Sequence, residues 1–181
     1  MRESKARKIQ RAAGIAKQLK KSYPNAKCSL NYSSPHELLI ATILSAQCTD
    51  HRVNQVTKTI FRKYQSQKEF AYADINELAK EIYSCGYHNQ KARKLKEFAE
   101  FNKDITRENL LSIWGIGPET ADSILLYAYN QPNFIIDTYT KRVLLHNRIG
   151  KPEWTYEKWQ NLFHENLEKD YKLFNKFHAL I

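Results

Sequence analysis

The chain has 181 residues, enough for one domain of ordinary size or two small lobes. Lysine and arginine number 29 against 19 acidic residues, and the net charge of +10 favours a polyanionic partner: a nucleic acid, an anionic membrane surface or an acidic protein. No apolar run approaches the roughly 18 residues of a membrane-spanning helix, and residues 1–21 are too charged for a signal peptide, so we expect neither a membrane protein nor a secreted one.

The three cysteines, Cys28, Cys48 and Cys85, are too few and too widely spaced for a disulfide framework. They form no C-x-x-C pair, which argues against zinc or an iron–sulfur cluster held by these residues alone. We therefore expect no metal site and no cofactor in this chain. A reducing, intracellular location in the cytoplasm or nucleoid follows as the expected compartment.

Apolar residues recur at helical spacing along most of the chain, which predicts an all-α fold. At the first strong pattern, Ser34 is a candidate N-cap and Pro35 suits the first helical turn. The apolar patch at 134–136 is too short to indicate a sheet. The predicted helices cover residues 35–48, 51–64, 74–84, 90–102, 107–113, 118–129, 138–147 and 156–167, and another begins at 172.

A Gly-Ile-Gly turn separates two of these helices and is the most informative segment of the sequence. Gly115 and Gly117 permit positive φ and a close approach of the backbone to another group. Pro118 fits the first turn of the next helix, whose amides, Thr120 included, form a site for one phosphate together with the helix dipole. Ile116 is expected to insert its side chain between the two helices.

A Gly-x-Gly turn alone would also suit a plain pair of helices. The full pattern runs from an apolar helix end through Gly-Ile-Gly to Ala121 and then Ile124, Leu125 and Leu126. It resembles the helix-hairpin-helix motif of the DNA glycosylase superfamily that includes endonuclease III. In that superfamily the hairpin holds DNA through backbone contacts to phosphate, without reading the sequence. The resemblance implies that residues 115–117 and the following helix start bind DNA.

Asp137 follows the hairpin in the sequence Phe-Ile-Ile-Asp-Thr-Tyr and is a candidate cap for the helix at 138–147, with Thr140 three residues on. Its placement resembles that of the catalytic aspartate of the glycosylase family. Cleavage of an N-glycosidic bond builds positive charge on the sugar, which a fixed carboxylate stabilises, and a carboxylate can also activate water. The resemblance therefore implies that Asp137 is a catalytic residue.

Bifunctional members of the family carry a lysine in the second hairpin helix, which forms a Schiff base with the sugar and then breaks the strand. The register of the resemblance places Glu119 at that position, as in the 3-methyladenine DNA glycosylase III branch. Because glutamate cannot form a Schiff base, the resemblance favours a monofunctional enzyme that uses water. Glu119 either touches the flipped base or a water, or is a solvated carboxylate at the helix start.

Two further segments carry the resemblance. The sequence Leu-Ser-Ala-Gln-Cys-Thr-Asp at 44–50 is similar to a segment of endonuclease III whose glutamine fills the gap left by the flipped nucleotide, which implies this role for Gln47. The sequence Cys-Gly-Tyr-His-Asn-Gln-Lys-Ala at 85–92 matches a turn of the same family. The match implies that Tyr87 wedges into the base stack and that Lys91 lies near a phosphate; surface charge is the alternative for Lys91.

The resemblance covers roughly residues 30–150 and implies two lobes with the DNA groove between them. A six-helix barrel would span residues 33–129, and a second lobe would combine 1–32 with 130–181. Many relatives bind a [4Fe–4S] cluster through cysteines that follow the last helix, and this chain could hold one only if a C-terminal extension is missing. The implied partner is double-stranded DNA with a damaged or mispaired base, bound by a monomer.

Two alternatives to a monofunctional glycosylase remain at this point. A bifunctional glycosylase and lyase could use a different lysine, such as Lys141. A non-catalytic hairpin module would bind the duplex without turnover.

Overall fold

A computed structural model describes residues 4–181, apart from the side chains of residues 5, 6, 8, 9, 13 and 16. Every regular element in this part of the chain is helical, which confirms the all-α fold class. None of its helices is both long and apolar enough to cross a membrane. The α-helices are α1 (Lys5–Ser22), α2 (Pro35–Ser45), α3 (Asp50–Lys63), α4 (Gln67–Tyr72), α5 (Ile75–Glu81), α6 (His88–Ala99), α7 (Arg107–Leu111), α8 (Pro118–Tyr129), α9 (Thr138–His146), α10 (Tyr156–His164) and α11 (Tyr171–Leu180).

The chain divides into two compact units. The central unit is the continuous segment Ser29–Tyr129, which holds α2 to α8. The terminal unit combines the segment that ends at Cys28 with the segment Asn130–Ile181. The barrel shape predicted for residues 33–129 and the predicted DNA groove stay predictions.

Helix α2 forms the centre of the central unit and packs against α3, α6 and α8. Its residues from Leu38 to Leu44 are all buried, on every side of the helix, as expected for an element enclosed by neighbours. The Ser34 hydroxyl accepts a hydrogen bond from the Glu37 amide, and Pro35 lies in the first turn, which confirms the predicted helix start.

Helix α4 is absent from the sequence prediction. Its six residues are too few to show a clear period, although Ser66 and Glu69 form a capping box that marks its start. The helix holds Phe70 in the core, where the side chain is 1% exposed. Several predicted helices also end earlier than expected, most clearly α2, which stops at Ser45 because the chain turns at Gln47 with a positive φ of 53°.

The terminal unit is built around an extended segment at 134–136, the apolar patch that the sequence analysis excluded as a sheet. Phe134 stacks on Phe163 with ring centroids 3.6 Å apart and meets Phe174 edge-on. Its amide donates to Nε2 of His164 at 3.0 Å, and its carbonyl accepts from Gln160 at 2.8 Å. Side chains thus satisfy this buried backbone, which in a sheet would pair with another strand.

Candidate functional site

The Gly-Ile-Gly turn joins α7 to α8 in the central unit. Gly115 has a φ of +78°, a conformation that favours glycine, and a Cβ at this position would overlap Cε of Lys94, a flexible side chain that would have to shift. A Cβ at Gly117 would meet no heavy atom within 4 Å, which leaves open space beside this residue. Gly115 is exposed and Gly117 is partly exposed, so the backbone of the turn is accessible at both glycines.

Ile116 packs into the core of the central unit, as the sequence predicts, and is 5% exposed. Its amide donates to the carbonyl of Ile113 at 3.1 Å. This placement disagrees with a direct DNA contact by Ile116, because its amide and its side chain are both used inside the protein. The residue supports the turn from the interior.

The sequence predicts a phosphate site at the start of α8, and this stays a prediction. The Ala121 amide donates to the Gly117 carbonyl at 2.9 Å and is the first in the helical hydrogen-bond ladder. The amide of Thr120 precedes that ladder and lies at the positive end of the helix dipole. Glu119 is exposed in the same turn, where its carbonyl accepts from the Ser123 hydroxyl at 2.7 Å.

Two basic side chains of α6 flank this turn. The guanidinium carbon of Arg93 lies 3.9 Å from the ring centroid of Trp114, which is 42% exposed, and Lys94 contacts Gly115. Cations beside a helix start favour the approach of phosphate. Sequence reasoning missed Trp114 and Lys94, because only the packing of α6 against the hairpin brings them there.

Gln47 and Tyr87 occupy two turns of the central unit. Gln47 lies between α2 and α3, and Tyr87 lies between a 3₁₀ turn at Tyr83–Cys85 and α6. Both have left-handed backbones, with φ of 53° and 47°, which is uncommon for residues other than glycine. Both side chains are exposed, Tyr87 to 60%. Such strained, exposed side chains are often found at functional sites.

Lys91 differs from both sequence expectations. Its side chain is 2% exposed, and Nζ donates to the carbonyls of Leu44 at 2.9 Å and Cys85 at 2.7 Å. Burial lowers the pKa of this amine below its ordinary value. The predicted phosphate contact of Lys91 is wrong, because its buried ammonium is not accessible to a ligand. The alternative, that Lys91 is a surface charge, is wrong for the same reason.

Asp137 lies in the terminal unit and caps α9, as the sequence predicts. Its Oδ1 accepts from the Thr140 amide at 2.7 Å, and its side chain is 21% exposed. Its Oδ2 lies 3.9 Å from Nε2 of His178, on α11. The helix amide thus orients the carboxylate and leaves part of it accessible. Sequence reasoning did not predict a role for His178, because no local pattern links α11 to the start of α9.

The residues present do not fit an iron–sulfur cluster. Within the described part of the chain, no three histidine, cysteine, aspartate or glutamate side chains come together in a way that could hold a metal ion. Cys85 is buried, and this burial raises the pKa of its thiol to about 11.

The glycine turn between α7 and α8, followed by the capping aspartate before α9, has the arrangement of a helix-hairpin-helix protein. Residues 40–169 match the family model of the HhH-GPD superfamily of base excision DNA repair proteins, and the chain belongs to this family.

Endonuclease III of Synechocystis sp. is 41% identical over 153 residues, which cover 80% of this chain and 69% of the relative. A solved structure of a non-covalent endonuclease III–DNA complex has a TM-score of 0.86 at 27% identity, over 95% of this chain and 83% of that one. The 3-methyladenine DNA glycosylase MagIII of H. pylori, in a structure with bound 1,N6-ethenoadenine, has a TM-score of 0.80 at 23% identity, over 92% and 93% of the two chains. This last likeness shows the fold alone.

Proposed function

We propose that the protein is a monofunctional DNA glycosylase that hydrolyses the N-glycosidic bond of a flipped, damaged or mispaired base in duplex DNA. Family membership supports base excision repair, and the charge of +10 suits a polyanionic substrate. The observation that carries the monofunctional assignment is Glu119, exposed in the first turn of α8, where the family's lyases have a lysine. We expect the protein to catalyse this reaction as a monomer in an intracellular compartment.

Asp137 is the proposed catalytic residue. When the glycosidic bond breaks, its electron pair leaves with the base, and positive charge develops on the sugar. A carboxylate oriented by the Thr140 amide stabilises that charge without reorganising. The same carboxylate can accept the proton of the water that adds to the sugar carbon.

The central unit would supply the grip on the duplex. The amides at the start of α8 and the open backbone at Gly117 would contact one phosphate, with Arg93 and Lys94 nearby. Gln47 would fill the gap left by the flipped nucleotide, and Tyr87 would wedge into the base stack. Binding of this kind holds a damaged duplex without reading its sequence.

A bifunctional glycosylase and lyase is the second candidate. Lys141 is half-exposed in the first turn of α9, and its amide donates to the Asp137 carbonyl at 3.1 Å. An amine one helical turn from the proposed catalytic carboxylate is a chemically suitable nucleophile. The alignment with endonuclease III keeps this candidate open.

The test is a screen of duplexes that each carry one lesion or mismatch, analysed with and without alkali and with borohydride. A monofunctional enzyme releases the base, breaks the strand only after alkali, and gives no borohydride-trapped adduct. Glu119→Lys should introduce a trapped adduct, because it restores an amine at the hairpin position. Glu119→Gln is the matched control and should give none.

A trapped adduct with the unaltered protein would overturn the monofunctional assignment, and its loss in Lys141→Met would identify the amine. Tight binding of abasic duplex without turnover on any lesion would favour a non-catalytic hairpin module instead.

A further inference from the structure

Three lysines of the described chain place their ammonium groups on pairs of backbone carbonyls. Nζ of Lys96 donates hydrogen bonds to the carbonyls of Ala71 and Ala73 at 2.6 and 2.7 Å. Nζ of Lys176 donates to the carbonyls of Pro24 and Ala26 at 2.8 and 3.0 Å. In both cases the two carbonyls belong to one turn. Lys91 is different, because its carbonyls at positions 44 and 85 belong to two segments far apart in the sequence.

The Leu44 carbonyl lies three residues before the left-handed residue Gln47, and the Cys85 carbonyl lies two residues before the left-handed residue Tyr87. Position 44 precedes Gln47, whose turn is closed by a 2.9 Å bond from the Cys48 amide to the Ser45 carbonyl. Position 85 precedes Tyr87, after a 3.2 Å bond from the Gly86 amide to the Tyr83 carbonyl. One buried ammonium therefore joins the backbones of the two turns.

The environment of Lys91 makes this link strong. An ammonium ion loses its hydration when the side chain is 2% exposed, so the two carbonyls must replace water. Bonds to a charged donor are stronger than bonds between neutral groups. The thiols of Cys48 and Cys85 interact with each other beside it, and the raised pKa of Cys85 keeps that thiol neutral. The charge is thus satisfied mainly by the backbone of the two turns.

We propose that Lys91 is a positioning residue that fixes the Gln47 turn and the Tyr87 turn relative to each other, so that both side chains enter a damaged duplex together. The proposal rests on the function proposed above. It assigns to Lys91 an effect on recognition of the lesion and none on the general grip on phosphate, which belongs to the hairpin.

Lys91→Met tests this, because it keeps the length and the apolar stem of the side chain and removes the ammonium. Lys96→Met is the matched control. It removes a pair of hydrogen bonds from a lysine of the same helix to two backbone carbonyls, in a turn that contains neither Gln47 nor Tyr87. The measurement is affinity for a duplex with one tetrahydrofuran abasic-site analogue, compared with an undamaged duplex of the same sequence, at a temperature where both variants are folded.

We expect both variants to melt at a lower temperature than the unaltered protein. The preference for the abasic duplex should fall about tenfold in Lys91→Met and stay unchanged in Lys96→Met. Affinity for undamaged duplex should stay unchanged in both. An unchanged preference in Lys91→Met would overturn the proposal, and so would an equal loss in the two variants.

A second measurement does not depend on the folding of Lys91→Met. Gln47→Ala, Tyr87→Ala and the double variant form a double-mutant cycle for abasic-duplex binding. Linked turns predict non-additive effects, whereas strictly additive effects would overturn the proposal. If the unaltered protein shows no preference for the lesion, the proposed function itself fails and this inference falls with it.

Discussion

Two aspartates, Asp122 on α8 and Asp137 before α9, show how differently one side chain can be used in this protein. Asp122 is fully buried, and Arg107 holds both its oxygens, with Nε at 2.8 Å and Nη2 at 3.2 Å. Asp137 is 21% exposed and is held by the Thr140 amide, with a histidine nitrogen at 3.9 Å. A guanidinium balances the charge of the Asp122 carboxylate, whereas the Asp137 carboxylate can still stabilise a positive charge that develops on a substrate.

The contrast indicates which acid is structural and which is chemical. A buried carboxylate with a bidentate arginine is costly to disturb and has little to offer a substrate. A partly exposed carboxylate at a helix start is fixed in direction and remains open to a ligand. We therefore expect substitution of Asp122 to affect folding and substitution of Asp137 to affect the reaction, and the following experiments test that separation.

Asp122→Asn should give the largest change in free energy. It leaves the Arg107 guanidinium, whose side chain is 32% exposed, without its ionised partner and puts an amide in a fully buried place, so the free energy of unfolding should fall by about 3 kcal/mol. Urea denaturation measures this loss, and single-turnover base release at low temperature should stay near that of the unaltered protein. A folded Asp122→Asn variant with no base release would contradict the structural role assigned to Asp122.

Asp137→Asn should lower single-turnover base release by about 10²–10³-fold, the usual effect of removing one group that stabilises a developing charge. Asparagine caps helices about as well as aspartate, so the melting temperature should change little. Asp170→Asn is a matched control, since Asp170 caps α11 in the same unit. Full activity of Asp137→Asn on every accepted lesion would contradict the assigned role.

Gly115→Ala should separate grip from chemistry. The left-handed φ of +78° costs an alanine about 1–3 kcal/mol, and its Cβ displaces Lys94. The affinity of Gly115→Ala for duplex DNA should fall. Its rate of single-turnover base release at saturating protein should equal that of the unaltered protein, whereas the rate of Asp137→Asn should stay low. Gly117→Ala is the informative partner, because the free protein has room for its Cβ and only bound DNA would meet it.

His178→Gln should have the smallest effect. A contact at 3.9 Å between partly exposed groups contributes at most about 1 kcal/mol even when the imidazole is protonated, so base release should fall no more than about fivefold. The reduction should shrink at high salt, because salt screens such pairs. A loss as large as that of Asp137→Asn would show that the histidine takes part in the reaction and would require a new view of the site.

The sequence predicts best those features that depend on neighbouring residues. The Ser34 cap, the Gly115 turn and the cap at Asp137 follow from local patterns, and the structure bears out each of them. Prediction from the sequence fails where segments that are distant along the chain come into contact. Lys91 looks like a surface cation in the sequence, because the two carbonyls that bury it are brought together only by packing.

The same limit explains the missing helix and the missing neighbour. Helix α4 is too short for periodicity, and burial of Phe70 against Tyr64 stabilises it in the folded chain. His178 approaches Asp137 through the tertiary structure of the terminal unit. Neither feature leaves a local signal apart from the capping box at Ser66.

The terminal unit is assembled from both ends of the chain. Helix α1 packs on α11, and Lys176 bonds the carbonyls of Pro24 and Ala26. The continuous central unit has its own core, so it can be complete on the ribosome while α1 still lacks its partner. We therefore expect the unit that contains the proposed catalytic carboxylate to form after the core of the central unit during synthesis.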